Sequence, residues 1–452
     1  MKHWTPQQVA EAARARLIAP APYATGPERV TIDSRDAGPG ALFVGLTGEH
    51  ADGGRFAPQA LAAGAWGVLT TPEHAHAAQC ARSGVLLAAD DPLKALQTLA
   101  TAWRQQLGAQ VIGVTGSTGK TSTKDLLSAL LTPHRRTVAS RANFNTEIGL
   151  PLEILAAPWG IEVLVLEMGM RGVGQIAELA AIAQPDVAVI VSVGPVHLEL
   201  LGTVEAVAAA KAELIGGLKP GGTAITPVAE PLLDPHRRTD VTNVSFGPGG
   251  DVRLTGETAT TVQIDAQGEP IELQVPFTQA HLRTNLLAAV AGARAVGVTP
   301  SGRVEVSFSA GRGQRTELPG GVTIIDDCYN ANPMSMRAAL DDLAATASLR
   351  DGARTVAVLG DMLELGPGER EYHVEIGAHA AATGVELLVT VGPLAAAMAD
   401  GYDGERHAVA DAGQAAALVS DLIAPGDVVL VKASRGVGLE LVCGALLEGA
   451  RA

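Results

Sequence analysis

The chain has 452 residues, of which 47% are apolar, and acidic residues outnumber basic residues 48 to 33. This length and composition fit about three soluble globular domains, and the acidic balance, without basic runs, argues against a nucleic-acid-binding surface. Cys80, Cys328 and Cys443 are widely spaced, which indicates free thiols in a reducing compartment instead of a disulfide framework.

The N-terminal residues predict a helix and no export signal. Thr5 and Pro6 suit the N-cap and the first helical position, and residues 1–18 carry charges throughout. The apolar core of a signal peptide is missing there. The most apolar strand, residues 187–193, is too short to cross a bilayer. We therefore expect a cytoplasmic protein that does not enter a membrane.

Three segments of different character follow one another. Residues 1–83 predict a small α/β domain, because turn clusters flank the apolar strand 41–46. Residues 84–309 predict a central domain with a mostly parallel sheet and a β-rich insertion at 241–276. Residues 310–452 predict a Rossmann-like, doubly wound sheet. The expected fold class is therefore α/β with three domains.

The stretch VIGVTGSTGKTSTKD, residues 111–125, predicts a phosphate-binding loop between a strand and a helix. Glycines permit a turn whose backbone N–H groups surround an anion, lysine reaches the phosphates and threonine ligates Mg²⁺. Val114 stands where the longer motif has glycine, so the loop fits the shorter G-S-T-G-K-T variant. The alternative is an ordinary βα turn. The loop residues expected to contact a nucleotide are Gly116, Ser117, Thr118, Gly119, Lys120, Thr121 and Ser122.

Glu167 closes the predicted strand 163–168, and His197 follows the predicted strand 187–193, at the edge where parallel sheets bind ligands. Each could be an ordinary solvated or turn residue. Both are nevertheless expected at the same rim as Thr121, and a hard cation that bridges ATP phosphates prefers oxygen donors and few protein ligands. We therefore predict that they hold Mg²⁺.

Lys211 lies in the predicted helix TVEAVAAAKAELIGGL, where alanine predominates. Such surroundings indicate a desolvated amine, and desolvation favours the neutral form. The alternative is a surface lysine whose charged end reaches solvent.

Together these motifs resemble the Mur ligases, the ATP-dependent amide ligases that build the peptide stem of bacterial peptidoglycan. GVTGSTGKTSTK is similar to the phosphate loop of the family, and the segments EMGM and VGPVHLELLGTVEAVAAAKAEL contain Glu167, His197 and Lys211. In the family the matching lysine is carbamylated, and the new carboxylate helps to hold Mg²⁺. The resemblance thus implies ATP and Mg²⁺ as cofactors, a carbamate on Lys211, and catalytic roles for Lys120, Lys211 and His197.

Other motifs of the resemblance imply contacts to nucleotide and substrate. Asn285 in AHLRTNLLAAV is implied to lie against adenine, with Arg312 in SAGRGQR and Asp326 also near the nucleotide. Caps, turns and solvated loops are the alternatives for the C-terminal set. The substrate contacts implied are Ser34, Arg35, Thr47, Asn143, Asn145, Thr146, Asp327, Tyr329, Asn330, Asn332, Ser434 and Arg435.

The motifs TIIDDCYNANPMSMRAAL, LGDMLELG and KASRGVGLE indicate the type of Mur ligase that joins D-alanyl-D-alanine to UDP-N-acetylmuramoyl-tripeptide through an acyl phosphate. The C-terminal domain is implied to bind the dipeptide, the first segment is implied to bind the UDP-sugar, and we expect a monomer. The alternatives are a relative that adds the third residue, a ligase like folylpolyglutamate synthase, and a non-catalytic P-loop switch. The UDP-binding segment argues against the folate enzyme. A switch would not need Glu167, His197 and Lys211.

Overall fold

A computed structural model describes residues 1–19, 25–48, 51–79, 84–141, 143–228 and 230–449. Cys80, and Ala142 in the motif ANFNTEIGLPL, lie outside the described residues. Within these ranges the chain forms three sheets of five, ten and six strands, one after another along the chain. The expected α/β fold with three domains is confirmed. The exact domain boundaries remain predictions.

The first sheet has the order β1-β5-β4-β3-β2, with β1 antiparallel to β5 and the other pairs parallel. Its last strand begins two residues beyond the predicted boundary at residue 83. The elements are α1 (Pro6–Ala12), β1 (Arg16–Ala19), β2 (Arg29–Thr31), β3 (Ala41–Val44), α2 (Ala57–Ala62), β4 (Gly67–Thr70), α3 (Pro72–Ala78) and β5 (Val85–Ala88).

The N-terminal helix begins where the sequence predicts and ends earlier. Thr5 accepts a hydrogen bond from the backbone N–H of Gln8, and the Gln8 side chain accepts one from the N–H of Thr5, which forms a capping box. The helix stops at Ala12, however, and residues 16–19 form β1. The expectation of a helix to residue 18 is wrong, because pairing with β5 overrides the local helical pattern.

The central sheet has the order β15-β14-β13-β12-β11-β10-β9-β6-β8-β7. Helix α4 (Pro92–Leu107) leads into it, and its elements are β6 (Gln110–Thr115), α5 (Lys120–Leu131), β7 (Thr137–Ala139), α6 (Gly149–Ala156), β8 (Val163–Glu167), α7 (Gln175–Ala183), β9 (Val187–Ile190), α8 (Leu198–Leu201), α9 (Val204–Gly216), β10 (Thr223–Pro227), β11 (Thr242–Phe246), β12 (Val252–Glu257), β13 (Thr261–Ala266), β14 (Glu269–Gln274), α10 (Ala280–Ala295) and β15 (Gly302–Arg303).

The predicted β-rich insertion is continuous with the central sheet. Strand β10, which the sequence analysis missed, pairs in parallel with both β9 and β11 and so joins the two regions. Beyond β11 the sheet changes to the antiparallel pairs β12–β13 and β13–β14. The strands that carry the predicted phosphate loop and the β-rich part therefore share one sheet.

The C-terminal sheet has the order β16-β17-β21-β18-β19-β20, and only its edge strand β16 is antiparallel. The elements are β16 (Gln314–Glu317), β17 (Thr323–Asp326), α11 (Pro333–Ala347), β18 (Thr355–Gly360), α12 (Glu369–Ala382), β19 (Leu387–Val391), β20 (Glu405–Val409), α13 (Ala412–Leu422), β21 (Val428–Lys432) and α14 (Glu440–Gly449).

Buried apolar residues cover both faces of the central and C-terminal sheets, as parallel strands require. This burial fixes the carboxyl ends of the strands, where the polar loops lie. None of the described helices is long and apolar enough to cross a membrane.

Candidate active site

The phosphate loop connects β6 to α5 as the sequence predicts. Gly119 has φ 77°, a left-handed conformation that favours glycine. A Cβ on residue 119 would also lie 2.7 Å from Asn285 Oδ1, so the loop and α10 are in close contact. Ser192, just after β9, supports the loop: its carbonyl accepts the N–H of Ser117 at 2.9 Å and its hydroxyl accepts the N–H of Thr118 at 2.9 Å.

A cavity of about 650 Å³ lies between the phosphate loop and the C-terminal unit. Most of the predicted nucleotide, metal and substrate residues line it. They are Ser117, Thr118, Gly119, Lys120, Thr121, Ser122, Asn143, Asn145, Thr146, Glu167, His197, Asn285, Arg312, Asp327, Tyr329, Asn330 and Asn332.

Several hydrogen-bonding side chains meet around Glu167, the last residue of β8, which is 3% exposed. One carboxylate oxygen accepts the Thr121 hydroxyl at 2.8 Å, and the other accepts the Asn145 amide at 2.8 Å. The Arg312 guanidinium donates to the Thr121 hydroxyl at 3.1 Å. Within the described residues, Arg312 Nε is buried and has no hydrogen-bond partner, a donor that a bound anion could satisfy.

Positive charge collects at this point. Lys120 Nζ reaches back across the loop to the Gly116 carbonyl at 2.7 Å. Burial lowers the pKa of Lys120, and the neighbouring Arg312 lowers it further while Glu167 opposes the shift. Lys120 and Arg312 carry two positive charges here, and Glu167 is the carboxylate that acts on Lys120. The excess of positive charge suits a polyanion such as a nucleoside triphosphate.

Lys211 lies on α9 and is 2% exposed, which confirms the buried setting expected from its alanine-rich helix. Burial lowers its pKa well below the ordinary value, and the charge of Lys120 acts in the same direction. No carboxylate among the described residues forms an ion pair with it. Its amine is therefore held in an environment that favours the neutral form.

His197 lies in the segment between β9 and α8, and its Nδ1 contacts Glu364 of the C-terminal unit. Burial lowers the pKa of His197, while the carboxylate of Glu364 raises it; Lys120 and Lys211 also lower it. His197 lines the same cavity as Lys120 of the phosphate loop.

Two guanidinium groups lie over the ring of Tyr329. Arg312 stacks on its ring at 3.9 Å and Arg435 at 5.3 Å. Next to this residue, Lys432 at the end of β21 donates to Asp327 at 2.6 Å and to the Asn330 carbonyl at 2.9 Å. Arg312, Arg435 and Lys432 thus all contact the loop after β17.

Several predicted site residues do not line the cavity. Asp326 accepts the N–H of Cys328 at 3.2 Å and so stabilises its own turn. Ser434 is buried, accepts the N–H of Leu363 at 3.0 Å and donates to a backbone carbonyl. These two contacts agree with the alternative of structural turn residues. Arg435, Gly116 and Lys211 also lie outside the lining, in contact with or close to residues that form it.

The three residues predicted to bind the UDP-sugar lie in the first unit. Arg35 forms an ion pair with Asp33 at 2.5 Å and lines a second cavity of about 630 Å³. Ser34 begins a short 3₁₀ turn capped by Asp33, and Thr47 forms an isolated bridge to Asp52. The structure does not bring these three residues to the main cavity.

The sequence analysis missed several residues at the interface between the central and C-terminal units. Met334 packs against Gly194, Glu364 contacts His197, and Lys432 lines the main cavity. Lys432 ends a strand at the same rim as Asp326, so its position was a usable signal. Met334 and Glu364 act through contacts between distant segments and carry no such local signal.

Three protein-family models match this chain, one after another along its length. Residues 28–104 match the Mur ligase family catalytic domain, residues 114–293 the Mur ligase middle domain, and residues 311–435 the Mur ligase glutamate ligase domain.

Similar proteins cover nearly the whole chain. The UDP-N-acetylmuramoyl-tripeptide--D-alanyl-D-alanine ligase of Bacillus subtilis is 36% identical over 98% of both chains. The protein of the same name from Synechocystis is 37% identical over 92% of this chain and 91% of its own. Among solved structures, MurF from Acinetobacter baumannii superimposes with a TM-score of 0.87 at 29% identity, covering 98% of this chain and 99% of that one. MurF from Thermotoga maritima in complex with ADP gives 0.82 at 30% identity, covering 94% and 98%.

Proposed function

The chain belongs to the Mur ligase family of ATP-dependent ligases, and we propose that it joins D-alanyl-D-alanine to UDP-N-acetylmuramoyl-tripeptide. This reaction is a step of peptidoglycan synthesis, on which bacterial cell shape and division depend. The observation that carries the proposal is the single cavity lined by the phosphate loop on one side and by Asp327, Tyr329 and Asn330 on the other. Full-length similarity to ligases of this name supports it.

The chemistry follows from the difficulty of acylating an amine with a carboxylate, whose leaving group would be oxide. The carboxylate of the tripeptide attacks the γ-phosphorus of ATP, the bond from that phosphorus to the bridging oxygen breaks, and ADP leaves. The dipeptide amine then attacks the acyl carbon, a tetrahedral intermediate forms, and phosphate leaves. Phosphoryl transfer depends mainly on positioning and charge neutralisation. Lys120 and Arg312 are placed to provide both.

The donors around Glu167 fit Mg²⁺, because a carboxylate and a hydroxyl meet there beside a histidine that lines the same cavity. Thr121, Glu167 and His197 would hold the ion. When bound, Mg²⁺ would neutralise charge on the phosphates. The Arg312 guanidinium donates a hydrogen bond to the Thr121 hydroxyl, so a positive charge already lies beside one of the residues that would hold Mg²⁺.

Carbamylation of Lys211 would add a further oxygen ligand. The neutral amine attacks the carbon of CO₂, a nitrogen–carbon bond forms, one oxygen receives an electron pair, and the nitrogen loses a proton to solvent. The burial of Lys211 and its lowered pKa support this proposal, because only the neutral amine is nucleophilic. The added negative charge would also lie beside Lys120.

An acyl phosphate hydrolyses if water reaches it, so the C-terminal unit must cover the central unit during the reaction. The connection at residues 308–313 suits a hinge. Gly311 and Gly313 have φ 68° and 77°, and the backbone N–H of Ser309 donates to the carboxylate of Asp125 on α5 at 3.0 Å.

We place the reaction in the cytoplasm and expect a monomer with no nucleic-acid partner.

Release of orthophosphate and formation of the amide test the proposal. The purified chain, Mg²⁺ and ATP are mixed with UDP-N-acetylmuramoyl-tripeptide and D-alanyl-D-alanine. Parallel reactions contain the UDP-dipeptide with a third-residue amino acid, or folate with glutamate. We expect phosphate release only with the first pair. Product from another pair would assign a neighbouring specificity, and hydrolysis without any acceptor would favour a nucleotide switch.

A further inference from the structure

The segment 361–366 of the C-terminal unit contacts His197 of the central unit. Glu364 Oε2 lies in hydrogen-bond contact with His197 Nδ1, and Glu364 Oε1 lies 3.7 Å from Arg171 Nε. The backbone carbonyl of Glu364 accepts the N–H of Glu199 at 3.3 Å. One residue thus joins the two units through both its side chain and its backbone.

Both partners have an unusual backbone conformation. His197 has φ 53° and Glu364 has φ 64°, and they are two of five non-glycine residues with positive φ in the described chain. Such a conformation is strained for a residue with a side chain and persists where the surrounding structure determines it. The two strained residues are each other's partners across the interface, which points to a constraint on this contact.

The segment that presents Glu364 is held within its own unit by three buried side chains. Asp361 accepts two backbone N–H groups of the chain after β19, at 3.0 and 2.7 Å. His373 Nε2 accepts the N–H of Met362 at 2.9 Å, and Ser434 Oγ accepts the N–H of Leu363 at 3.0 Å. Glu364 is therefore attached to a fixed loop, and its position follows the position of the C-terminal unit.

The approach of the two backbones is also close. Gly366 has φ 68°, and a Cβ there would lie 3.2 Å from the backbone nitrogen of Glu199 on α8. Both the positive φ and this tight approach favour glycine at residue 366, where the segment reaches α8.

We propose that Glu364 is a positioning residue that accepts a hydrogen bond from the Nδ1–H of His197 and leaves Nε2 as the acceptor facing the cavity. No hydrogen bond joins Nε2 to any residue in the described ranges, and His197 and Lys120 line the same cavity. A histidine that binds a metal through one nitrogen is commonly oriented by a carboxylate on the other. The C-terminal unit thereby completes the cation site of the central unit when it closes. This inference rests on the proposed function of the site.

The test uses the full chain and compares Glu364→Gln with Glu364→Met. Gln keeps an acceptor oxygen and Met has none, while both side chains are unbranched and keep the same backbone strain. Glu199→Gln is the matched control, since it removes a neighbouring carboxylate whose side chain is not part of the contact. Thermal unfolding of each variant establishes that it is folded.

Two readouts separate positioning from a purely structural role. ¹⁵N spectra of labelled histidine, recorded above the ordinary histidine pKa of about 6.5 and assigned with His197→Gln, report which ring nitrogen carries the proton. Mn²⁺ affinity is measured in the presence of a non-hydrolysable ATP analogue. We expect the single tautomer in the unmodified chain, Glu364→Gln and Glu199→Gln. We expect a mixture in Glu364→Met with Mn²⁺ affinity reduced about 10- to 100-fold.

A single Nδ1–H tautomer and unchanged Mn²⁺ affinity in Glu364→Met would overturn the inference. Neither readout requires ligation, so the two proposals fail separately. If the unmodified chain forms no amide but the tautomer changes as expected, the proposed substrate is wrong and the role of Glu364 stands. If the chain ligates and both readouts stay unchanged, the substrate stands and the role of Glu364 is wrong.

Discussion

Met334 of the C-terminal unit packs so closely on Gly194 of the central unit that a Cβ at residue 194 would lie 2.0 Å from its sulfur atom. Gly194 does not have a positive φ, so this limit on side-chain size comes from the contact with Met334. The N–H of Gly194 also donates to Ser117 Oγ in the phosphate loop at 2.9 Å. The contact therefore lies where the C-terminal unit meets the nucleotide site.

Gly194→Ala should hinder closure and lower kcat, because an extra methyl group in a packed interface costs about 1–3 kcal/mol, or roughly 5- to 150-fold. ATP affinity, measured by calorimetry, should change far less than kcat. Gly194→Ala combined with Met334→Ala should recover most of the rate, since the second change removes the clashing atom. A double variant as slow as the single one would show that the contact does not limit closure.

Lys211→Met should abolish ligation and stabilise the fold. The pKa of Lys211 is lowered in the folded state, so between the folded and unfolded pKa values the unfolded chain binds a proton that the folded chain does not. The native state therefore loses stability as the pH falls from the unfolded pKa toward the folded pKa. Removing the amine should raise the free energy of unfolding at neutral pH, because the folded chain then no longer buries an amine that the unfolded chain can protonate. It should also flatten the dependence of stability on pH on the alkaline side of neutrality.

The measurement is hydrogen exchange of α9 at several pH values in CO₂-free buffer, alongside the ligation assay. Lys219→Met, which removes an exposed lysine beyond the same helix, serves as the control. A Lys211→Met variant that is less stable at neutral pH, or that ligates normally, would contradict the prediction. Added bicarbonate should stimulate the unmodified enzyme and leave Lys211→Met inactive.

Lys432→Met should destabilise the C-terminal unit by about 3 kcal/mol, the lower end of the range for breaking a buried pair, because Asp327 is 21% exposed and partly solvated. The loss should appear in hydrogen exchange of β17 and β21, the strands that flank the pair. Adding Asp327→Asn should recover part of the stability, since it removes the unpaired carboxylate. Equal stability of Lys432→Met and the unmodified chain would mean that water replaces the lysine at no cost.

Tyr329→Leu should weaken nucleotide use more than Tyr329→Phe. Phe keeps the ring on which Arg312 and Arg435 stack, whereas Leu removes it. Cation–π contacts contribute about 0.5–2 kcal/mol, so we expect the KM for ATP to rise roughly 2- to 30-fold in the Leu variant. The hydroxyl is lost in both variants, which makes the comparison specific to the ring. Equal KM values would exclude a role for stacking in positioning Arg312.

The sequence predicted the parts of the site that depend on neighbouring residues. The phosphate loop, Glu167 and the buried Lys211 lie as expected because short motifs and strand ends carry their own signal. The edge strands β16 and β20 were missed because they are largely exposed and polar, so their pairing partners decide their conformation. The helix expected through residue 18 failed for the same reason.

The contacts between units could not be predicted in this way. Glu364 contacts His197 across 167 positions of sequence, and Met334 reaches Gly194 across a comparable interval. Ser434 was expected to contact substrate because the family resemblance implied it, but its hydroxyl makes hydrogen bonds within the protein. Position along a strand indicates which residues reach an edge, and only the packing determines which of them remain available to a ligand.

Ser434 has a further consequence because its hydroxyl contacts two loops at once. It accepts the N–H of Leu363 and donates to the carbonyl of Ala331, in the loop that includes Tyr329. The loop that we propose to bind the dipeptide and the Glu364 carboxylate that contacts His197 are therefore mechanically linked. A compound that separated these loops would displace Tyr329 and Glu364 together without itself occupying the position of the nucleotide, which offers a route to inhibitors that need not compete with ATP.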